Sequence, residues 1–477
     1  MIYLILIVGL ILRVITLNQS LWLDEAINVV NARSLDLMTF LIKYPIGDFH
    51  PPGYFLILWL WGHLFGFSEV SVRIPSLIFG VGTIWLIFLL GKELFNKKIG
   101  IIAALLLAVA PLHIFYSQEA RMYSLATFAV VASNYFFIRF LKNQKYSQIG
   151  FILSSILVVY SDYLAYLIFP AQFLYLLFNH KDKLVDYLKT FLGIILSLTI
   201  WLPFFYQQLL NGLKTANLVP GWAEVVGGAN LKNLGLIFAK TILGRVSFDD
   251  KILYGVIISA LGLLYGGIIV SALRKINDQV NKFVADAIKL LLFLIILPLI
   301  LATVTSFFMP VLSYFRMLFI LPAFYLLVAV GIEDLPKKFK APTIIILVLI
   351  SLSFLYFYYT NLKFQREDWR GAVSAIESLV QKDHGVIIFE SNGNLAPFEY
   401  YSSGQKWLGG LKSFPAKDEK DIVAFDKNTK NLYVFEYLVD ISDPGRNLEK
   451  SLIKQMFTEK EIYNFNGVGV VTHYSRF

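Results

Sequence analysis

Long apolar segments alternate with short polar ones along the first 360 residues of the chain. Many of the apolar segments are about 17–25 residues long, the length at which an α-helix crosses a bilayer. Lipid offers the backbone no hydrogen-bond partners, so such segments must be helical. The pattern predicts about eleven spans, at residues 1–17, 72–91, 99–115, 123–140, 149–160, 164–179, 191–206, 252–272, 289–308, 317–332 and 342–360.

Two apolar segments, 53–67 and the one that starts at Met1, have more than one interpretation. The segment 53–67 is short, and we interpret it as a juxtamembrane helix half-sunk in the outer leaflet. The segment from Met1 to Leu17 lacks a basic start and a small-residue cleavage site. It is therefore predicted to be the first span and not a removed signal peptide.

Loop charge predicts the orientation in the membrane, because cytoplasmic loops carry an excess of Lys and Arg. Loops 18–71, 116–122, 161–163, 207–251, 309–316 and 361–477 then lie outside, as in a multi-pass protein of the plasma membrane. The cations of the alternate loops form five clusters: Lys92, Lys97 and Lys98; Arg139, Lys142 and Lys145; Lys181, Lys183 and Lys189; Arg274, Lys275, Lys282 and Lys289; Lys337, Lys338 and Lys340.

The composition changes after residue 360. Helical periodicity at 368–381 and 448–457 alternates with buried strand patterns at 385–389, 431–438 and 467–474, which indicates a small α/β unit. The predicted fold class is therefore an all-α polytopic membrane domain at 1–360, followed by a soluble, extracytoplasmic α/β domain at 361–477.

Composition agrees with a membrane protein. The chain is 57% hydrophobic and 16% charged, whereas soluble domains are about 25% charged, and the mean hydropathy is +0.65. The net charge of +9 lies in the loops between spans, which argues against nucleic acid as a partner. The chain has no cysteine, so disulfides and thiolate chemistry are excluded, and no P-loop motif supplies ATP-driven transport.

The first outer loop carries two adjacent carboxylates, Asp24 and Glu25. A carboxylate held beside an apolar wall has a raised pKa and is a better base. The alternative is a helix start, with Asp24 as the cap and Glu25 favoured by the helix dipole. In the same loop, His50 precedes two prolines and is rigidly presented, either to a phosphate or metal or simply to the membrane interface. Arg73 ends the loop.

The second and later outer loops add further charges. Glu119 and Arg121 are too close in sequence to share a helix face, so Arg121 is free to bind an anion such as phosphate. Arg316 is an isolated cation that binds phosphate or extends to lipid headgroups. The neighbouring residues are Tyr116 and Tyr123, which support the site or form an interfacial aromatic belt, and Asp162, which supports it or makes a turn.

The shared side of these residues predicts an anion site next to a base. The motifs LWLDEA, HPPGYFLILWLWGHLFG, SVRIPS and YSQEARMYSL over residues 20–140, and more weakly SYFRMLFILPAF and REDWRGAVSAI, resemble the dolichyl-phosphate-mannose protein mannosyltransferase superfamily, which includes the lipid A aminoarabinose transferases. The resemblance implies a GT-C fold membrane glycosyltransferase with a polyprenyl-phosphate sugar donor and a protein, lipid or glycan acceptor. It implies no essential cofactor, although divalent metal use varies between branches.

Carried over by the resemblance, Asp24 activates the acceptor with Glu25 beside it, and His50 lies near the donor phosphate. Arg121, Arg316 and Arg73 are then expected to bind that phosphate, with Glu119 in the second outer loop as a supporting acid. Two alternatives remain. One is a transporter or flippase of lipid-linked sugars, which would be expected to show midplane polar groups and repeat symmetry. The other is a structural subunit in which the outer charges are incidental.

Overall fold

A computed structural model describes residues 1–218, 227–277 and 281–476 of the chain. Helices form almost all of the ordered structure as far as Thr360. Their bounds are α1 Ile2–Val14, α2 Leu23–Ser34, α3 Tyr44–Asp48, α4 Gly53–Phe65, α5 Glu69–Leu94, α6 Lys97–Ala108, α7 Pro111–Ser117, α8 Tyr123–Leu141, α9 Ser147–Ser161, α10 Ile168–Asn179, α11 Leu184–Leu198, α12 Leu202–Leu218, α13 Leu231–Leu243, α14 Lys251–Leu273, α15 Lys282–Thr305, α16 Leu321–Asp334 and α17 Lys337–Thr360.

Fewer of these helices are able to span a membrane than the eleven that the sequence predicts. In the described residues, five helices are long and apolar enough to cross a bilayer, or up to seven if two bent pairs each count as one span. The structure therefore does not confirm the predicted number of spans. Several apolar segments form helices of only 10–17 residues. The segment predicted to be juxtamembrane is one of these, the 13-residue α4, which at 1.5 Å per residue is only about 20 Å long.

The first bent pair directs the chain toward residues 118–122, in the second of the predicted outer loops. Helix α6 ends at Ala108, Pro111 starts α7, and the two axes differ by 65°. The guanidinium of Arg13 on α1 donates to the carbonyl of Ala108 at 3.0 Å and to that of Leu107 at 3.4 Å. A cation at the carboxyl end of a helix satisfies its unpaired carbonyls. Arg13 thus fixes the bend from which residues 118–122 emerge.

Helix α5 forms the long axis that links the two ends of the bundle. Its 26 residues pack along α6 at a point where only glycines fit. A Cβ on Gly91 would lie 2.7 Å from the Cα of Gly100. This close approach lets the two backbones touch near the C-terminal end of α5.

A five-stranded mixed sheet follows the last long helix. Strands β1 Val386–Phe389, β2 Trp407–Gly409 and β3 Asn431–Phe435 are parallel to one another. Strand β5 Gly469–Ser475 is antiparallel to both of its neighbours, β3 and β4 Thr458–Phe465, and the order is β2-β1-β3-β5-β4. Trp369 packs against Phe389 and Phe435 in the core on one face. The helices of this region are α18 Trp369–Asp383, α19 Ala396–Tyr401, α20 Val439–Ser442 and α21 Asn447–Lys454.

The C-terminal sheet packs against residues of the first predicted outer loop, 18–71. The N–H of Leu21 donates to the phenol of Tyr401 at 2.8 Å, and the phenol of Tyr400 donates to the carbonyl of Phe67, also at 2.8 Å. These bonds join α19 to Leu21, just before α2, and to Phe67, just after α4. The sheet and the predicted site residues of the first loop therefore lie at the same end of the helical bundle.

Candidate active site

Asp24 and Glu25 lie in the first turn of α2 and have different surroundings. The helix begins at Leu23 and its cap position is Trp22, so the alternative that made Asp24 the cap is wrong. The side chain of Asp24 is 33% exposed, whereas that of Glu25 is 0% exposed. Of these two carboxylates, only that of Asp24 is exposed enough for a substrate to approach.

Arg121 joins two carboxylates of the first outer loop. Its Nη2 lies 3.6 Å from Oδ2 of Asp24, and its Nη1 lies 3.2 Å from Oδ2 of Asp48. The other oxygen of Asp48 lies 2.5 Å from Nδ1 of His50. The four side chains form a continuous chain, so the structure brings the predicted Asp24, His50 and Arg121 together through Asp48. The segment DFHPP predicts a role for His50 but not for Asp48, although it contains both residues.

The two aspartates differ in acidity. Burial raises the pKa of Asp24, and the nearby Arg121 opposes this only in part. Burial would also raise the pKa of Asp48, but Arg121 and His50 together hold it well below its ordinary value. Asp48 is therefore a fixed anion. Asp24 is the carboxylate with the greater proton affinity, which is the property that a general base requires.

Arg316 faces the same region from the segment before α16. Its side chain makes one hydrogen bond within the described part of the chain, from Nη1 to the carbonyl of Pro310 at 3.0 Å. Burial lowers the pKa of the Arg316 guanidinium, the charges of Asp162 and Asp24 oppose this, and the charge of Arg121 adds to it. The Nε of Arg121 is buried with no hydrogen-bond partner among the described residues. Arg121 and Arg316 thus both have N–H donors that no described residue accepts, and such donors are suited to bind a phosphate.

Arg73 and Glu25 have structural partners instead of the predicted roles. Arg73 donates to Glu25 through Nε at 2.8 Å and through Nη2 at 2.6 Å. Its remaining three N–H groups donate to backbone carbonyls of residues 17, 19 and 20. All five donors of this guanidinium are used inside the protein, which leaves none for a donor phosphate. Glu25 also accepts the N–H of Ala120 at 2.8 Å, so this pair ties the two outer loops together.

Glu119 pairs with a residue that lies outside the helical domain. Its Oε2 accepts from Nη1 of Arg366 at 2.9 Å, and Nη2 of Arg366 donates to the carbonyls of Phe115 and Gln118. Burial raises the pKa of Glu119, with Arg366 opposing it. Sequence reasoning did not give Arg366 a role, although it begins the segment REDWRGAVSAI.

The supporting residues border the charged groups. Tyr116 and Tyr123 are both buried and meet edge to face, with ring centres 5.1 Å apart, so they line the protein interior and are not exposed to lipid. Tyr123 also contacts Phe315, next to Arg316. Asp162 accepts the N–H of Leu164, which is the predicted turn geometry.

The described residues hold no group of three or more His, Cys, Asp or Glu side chains positioned to bind a metal ion. The charge between Asp24 and Asp48 is supplied by the guanidinium of Arg121.

Comparisons with known proteins agree with this architecture. The chain aligns with ArnT from Cupriavidus metallidurans bound to undecaprenyl phosphate at a TM-score of 0.61 and 12% identity, covering 99% of this chain and 97% of that one. The oligosaccharyltransferase AglB from Archaeoglobus fulgidus, in complex with an inhibitory peptide and a dolichol-phosphate, aligns at 0.53 and 14% identity, covering 100% and 74%. Arabinofuranosyltransferase AftD from Mycobacteria aligns at 0.51 and 14% identity, covering 99% and 39%. No curated protein sequence matches the chain.

The fold is thus that of a polytopic membrane protein of the GT-C class. Within that class, residues 49–206 match the family described as dolichyl-phosphate-mannose-protein mannosyltransferase. The resemblance to this superfamily that the motifs indicated is confirmed.

Proposed function

We propose that this protein is a membrane glycosyltransferase that moves a monosaccharide from a polyprenyl-phosphate donor to an acceptor on the extracytoplasmic face. The observation that carries the proposal is the contact between Asp24 and Arg121, with Arg316 in the same electrostatic environment. A carboxylate of raised pKa beside guanidinium groups combines a base with a phosphate site. The family match and the undecaprenyl phosphate bound by the similar ArnT structure support this donor class.

The reaction would be a single displacement at the anomeric carbon of the sugar. Asp24 takes the proton of the acceptor hydroxyl or amine as the acceptor lone pair attacks that carbon. The bond from the anomeric carbon to the phosphate oxygen breaks, and its electron pair stays with the polyprenyl phosphate. Arg121 and Arg316 stabilise the charge that develops on the phosphate. Because phosphate is a good leaving group, no general acid is needed.

Asp48 and His50 support this chemistry without taking the proton. Asp48 is held as an anion by Arg121 and His50, so it keeps the Arg121 guanidinium in place. His50 shares the other oxygen of Asp48 and lies beside the phosphate site. We assign the structural pair Arg73 and Glu25 no contact with the substrate, since Arg73 has no donor left and Glu25 is 0% exposed.

Charge distribution supports the extracytoplasmic face. Helix α5 carries Arg73 near its start and Glu93 near its other end. Glu93 pairs with Lys142 at 2.7 Å, and Lys183 donates to the neighbouring Asn143. Three of the five cation-rich loops thus meet at the end of α5 away from the site, which by the positive-inside rule is cytoplasmic. The site and the C-terminal sheet then lie outside the plasma membrane. Part of the outer stretch 207–251, residues 219–226, lies outside the described residues.

Transfer by isolated membranes tests the proposal. Membranes containing the protein are incubated with a panel of radiolabelled polyprenyl-phosphate sugars, and labelled products are identified. The Asp24→Asn variant should lose transfer at normal expression. Asp36→Asn is the matched control, because Asp36 is an exposed carboxylate of the same loop that only caps a turn at Thr39. Equal transfer by Asp24→Asn and the wild type would remove Asp24 from the mechanism. Movement of labelled lipid across the membrane without a product would instead support the flippase alternative.

A further inference from the structure

The first two residues of the segment REDWRG contact different parts of the candidate site. Arg366 reaches Glu119 of the second outer loop and lies 3.8 Å from Glu25 of the first. The next residue, Glu367, reaches the start of α2, next to Asp24. Two consecutive side chains of the C-terminal region therefore hold both loops from which the site is built.

Helix α2 lacks a cap from its own sequence. Its cap position is Trp22, whose side chain offers no acceptor to the first-turn N–H groups. Helices leave these N–H groups without intrahelical partners, and a side-chain oxygen normally accepts one of them. Here Oε2 of Glu367 accepts the N–H of Leu23 at 3.3 Å. The missing cap is supplied by a residue more than three hundred positions away in the chain.

Glu367 is itself held firmly by the C-terminal domain. Its Oε2 also accepts the indole N–H of Trp369 at 2.8 Å, and its Oε1 accepts the phenol of Tyr437 at 2.9 Å. Trp369 is 0% exposed and stacks on Phe435 of β3, and Tyr437 follows that strand by two residues. The position of the carboxylate is thus set by the core of the sheet.

We propose that Glu367 is a positioning residue that caps α2 from the C-terminal domain and thereby holds Asp24 in line with Arg121. The inference rests on the proposed function, since it assigns the docked domain a part in placing the proposed base. The domain contributes to turnover without touching the sugar donor. The phosphate site is built by Arg121 and Arg316, which Glu367 does not contact.

Steady-state kinetics of Glu367 variants give the first test. Glu367→Ala should lower kcat about 10–100-fold, because small misplacements of a catalytic group are costly, while KM for the polyprenyl-phosphate sugar stays within about twofold. Glu367→Gln should recover most of the rate, because its amide oxygen still accepts the Leu23 N–H. Lys454→Gln is the matched control, since Lys454 forms an exposed pair with Glu419 elsewhere in the same domain. Unchanged kcat in Glu367→Ala would overturn the proposal.

Hydrogen exchange gives a second test that does not need activity. In Glu367→Ala, amides of the peptide 20–30 should exchange about tenfold faster or more, while those of β1 in the sheet core should exchange as in the wild type. Lys454→Gln should change neither. Faster exchange across β1 as well would show that the variant unfolds the domain, and equal exchange in the peptide 20–30 would show that Glu367 is no cap; either result overturns the proposal.

The two tests separate the failure of this inference from failure of the proposed function. If the wild type transfers no sugar but Glu367→Ala loosens α2, the proposed function fails and the capping interaction stands. If the wild type is active and Glu367→Ala is equally active, the positioning role fails alone.

Discussion

Nη2 of Arg121 lies 3.6 Å from Oδ2 of Asp24, although the two residues come from different outer loops. The contact is too long for a strong hydrogen bond, and Asp24 remains one-third exposed. Arg121 makes its closer contact, 3.2 Å, with Asp48. The guanidinium is thus anchored by one carboxylate and lies close to the other, which leaves Asp24 open to a substrate proton.

Removal of the Arg316 charge is expected to slow the reaction without unfolding the protein. Its side chain makes a single hydrogen bond in the described structure, to Pro310, so Arg316→Gln should shift the unfolding midpoint little. Loss of one group that stabilises developing phosphate charge should reduce kcat about 100-fold. Arg33→Gln, at an exposed position of α2, is the control and should transfer sugar at the wild-type rate. Wild-type kcat in Arg316→Gln would contradict the assignment.

The pH dependence of transfer should follow Asp24. A base works only when deprotonated, so kcat/KM should fall tenfold per pH unit below its pKa. Burial raises that pKa above 3.8, and the charge of Arg121 lowers it in part. Arg121→Gln should therefore move the acid limb of the profile to higher pH, in addition to lowering the rate. Measurement of kcat/KM against pH for the wild type and for Arg121→Gln checks this. An acid limb that stays in place or moves to lower pH in the variant would contradict the prediction.

The pair formed by Glu25 and Arg73 is expected to be structural. Both side chains are 0% exposed, and loss of one partner leaves the other as an unpaired buried charge, at a cost of about 3–5 kcal/mol. Glu25→Gln should therefore clearly lower the thermal unfolding midpoint of the protein in detergent. Glu93→Gln is the matched control, since its partner Lys142 is 33% exposed and such pairs contribute about 0–1 kcal/mol. Equal shifts in the two variants would contradict this role.

The sequence predicts part of the fold and part of the candidate site. Apolar length and loop charge predicted a helical membrane domain, and strand patterns predicted β1, β3 and β5. Strand β4 was missed because its segment TEKEIYNF is mostly exposed and highly charged, and β2 because it has only three residues. The residue types near the site were identifiable from their shared loops.

Pairing among those residues was not predictable from sequence. Arg73 and Arg316 are both arginines between apolar runs. Within residues 1–218, 227–277 and 281–476, Arg73 uses all five donors and Arg316 uses one. That difference depends on backbone carbonyls brought near by folding. The contact of Arg366 with Glu119 likewise joins residues that are 247 positions apart in the chain.

The orientation in the membrane can be tested by cysteine labelling, because the chain has no cysteine of its own. Lys427→Cys lies at an exposed position of the C-terminal domain, and Lys181→Cys lies at an exposed position in a cationic loop. On intact cells, a membrane-impermeant maleimide should label Lys427→Cys and leave Lys181→Cys unlabelled, because cation-rich loops stay cytoplasmic. Permeabilised cells are the control and should label both. The reverse pattern on intact cells would place Asp24 and the C-terminal sheet in the cytoplasm, where a base at that end of the bundle would meet a different set of acceptors.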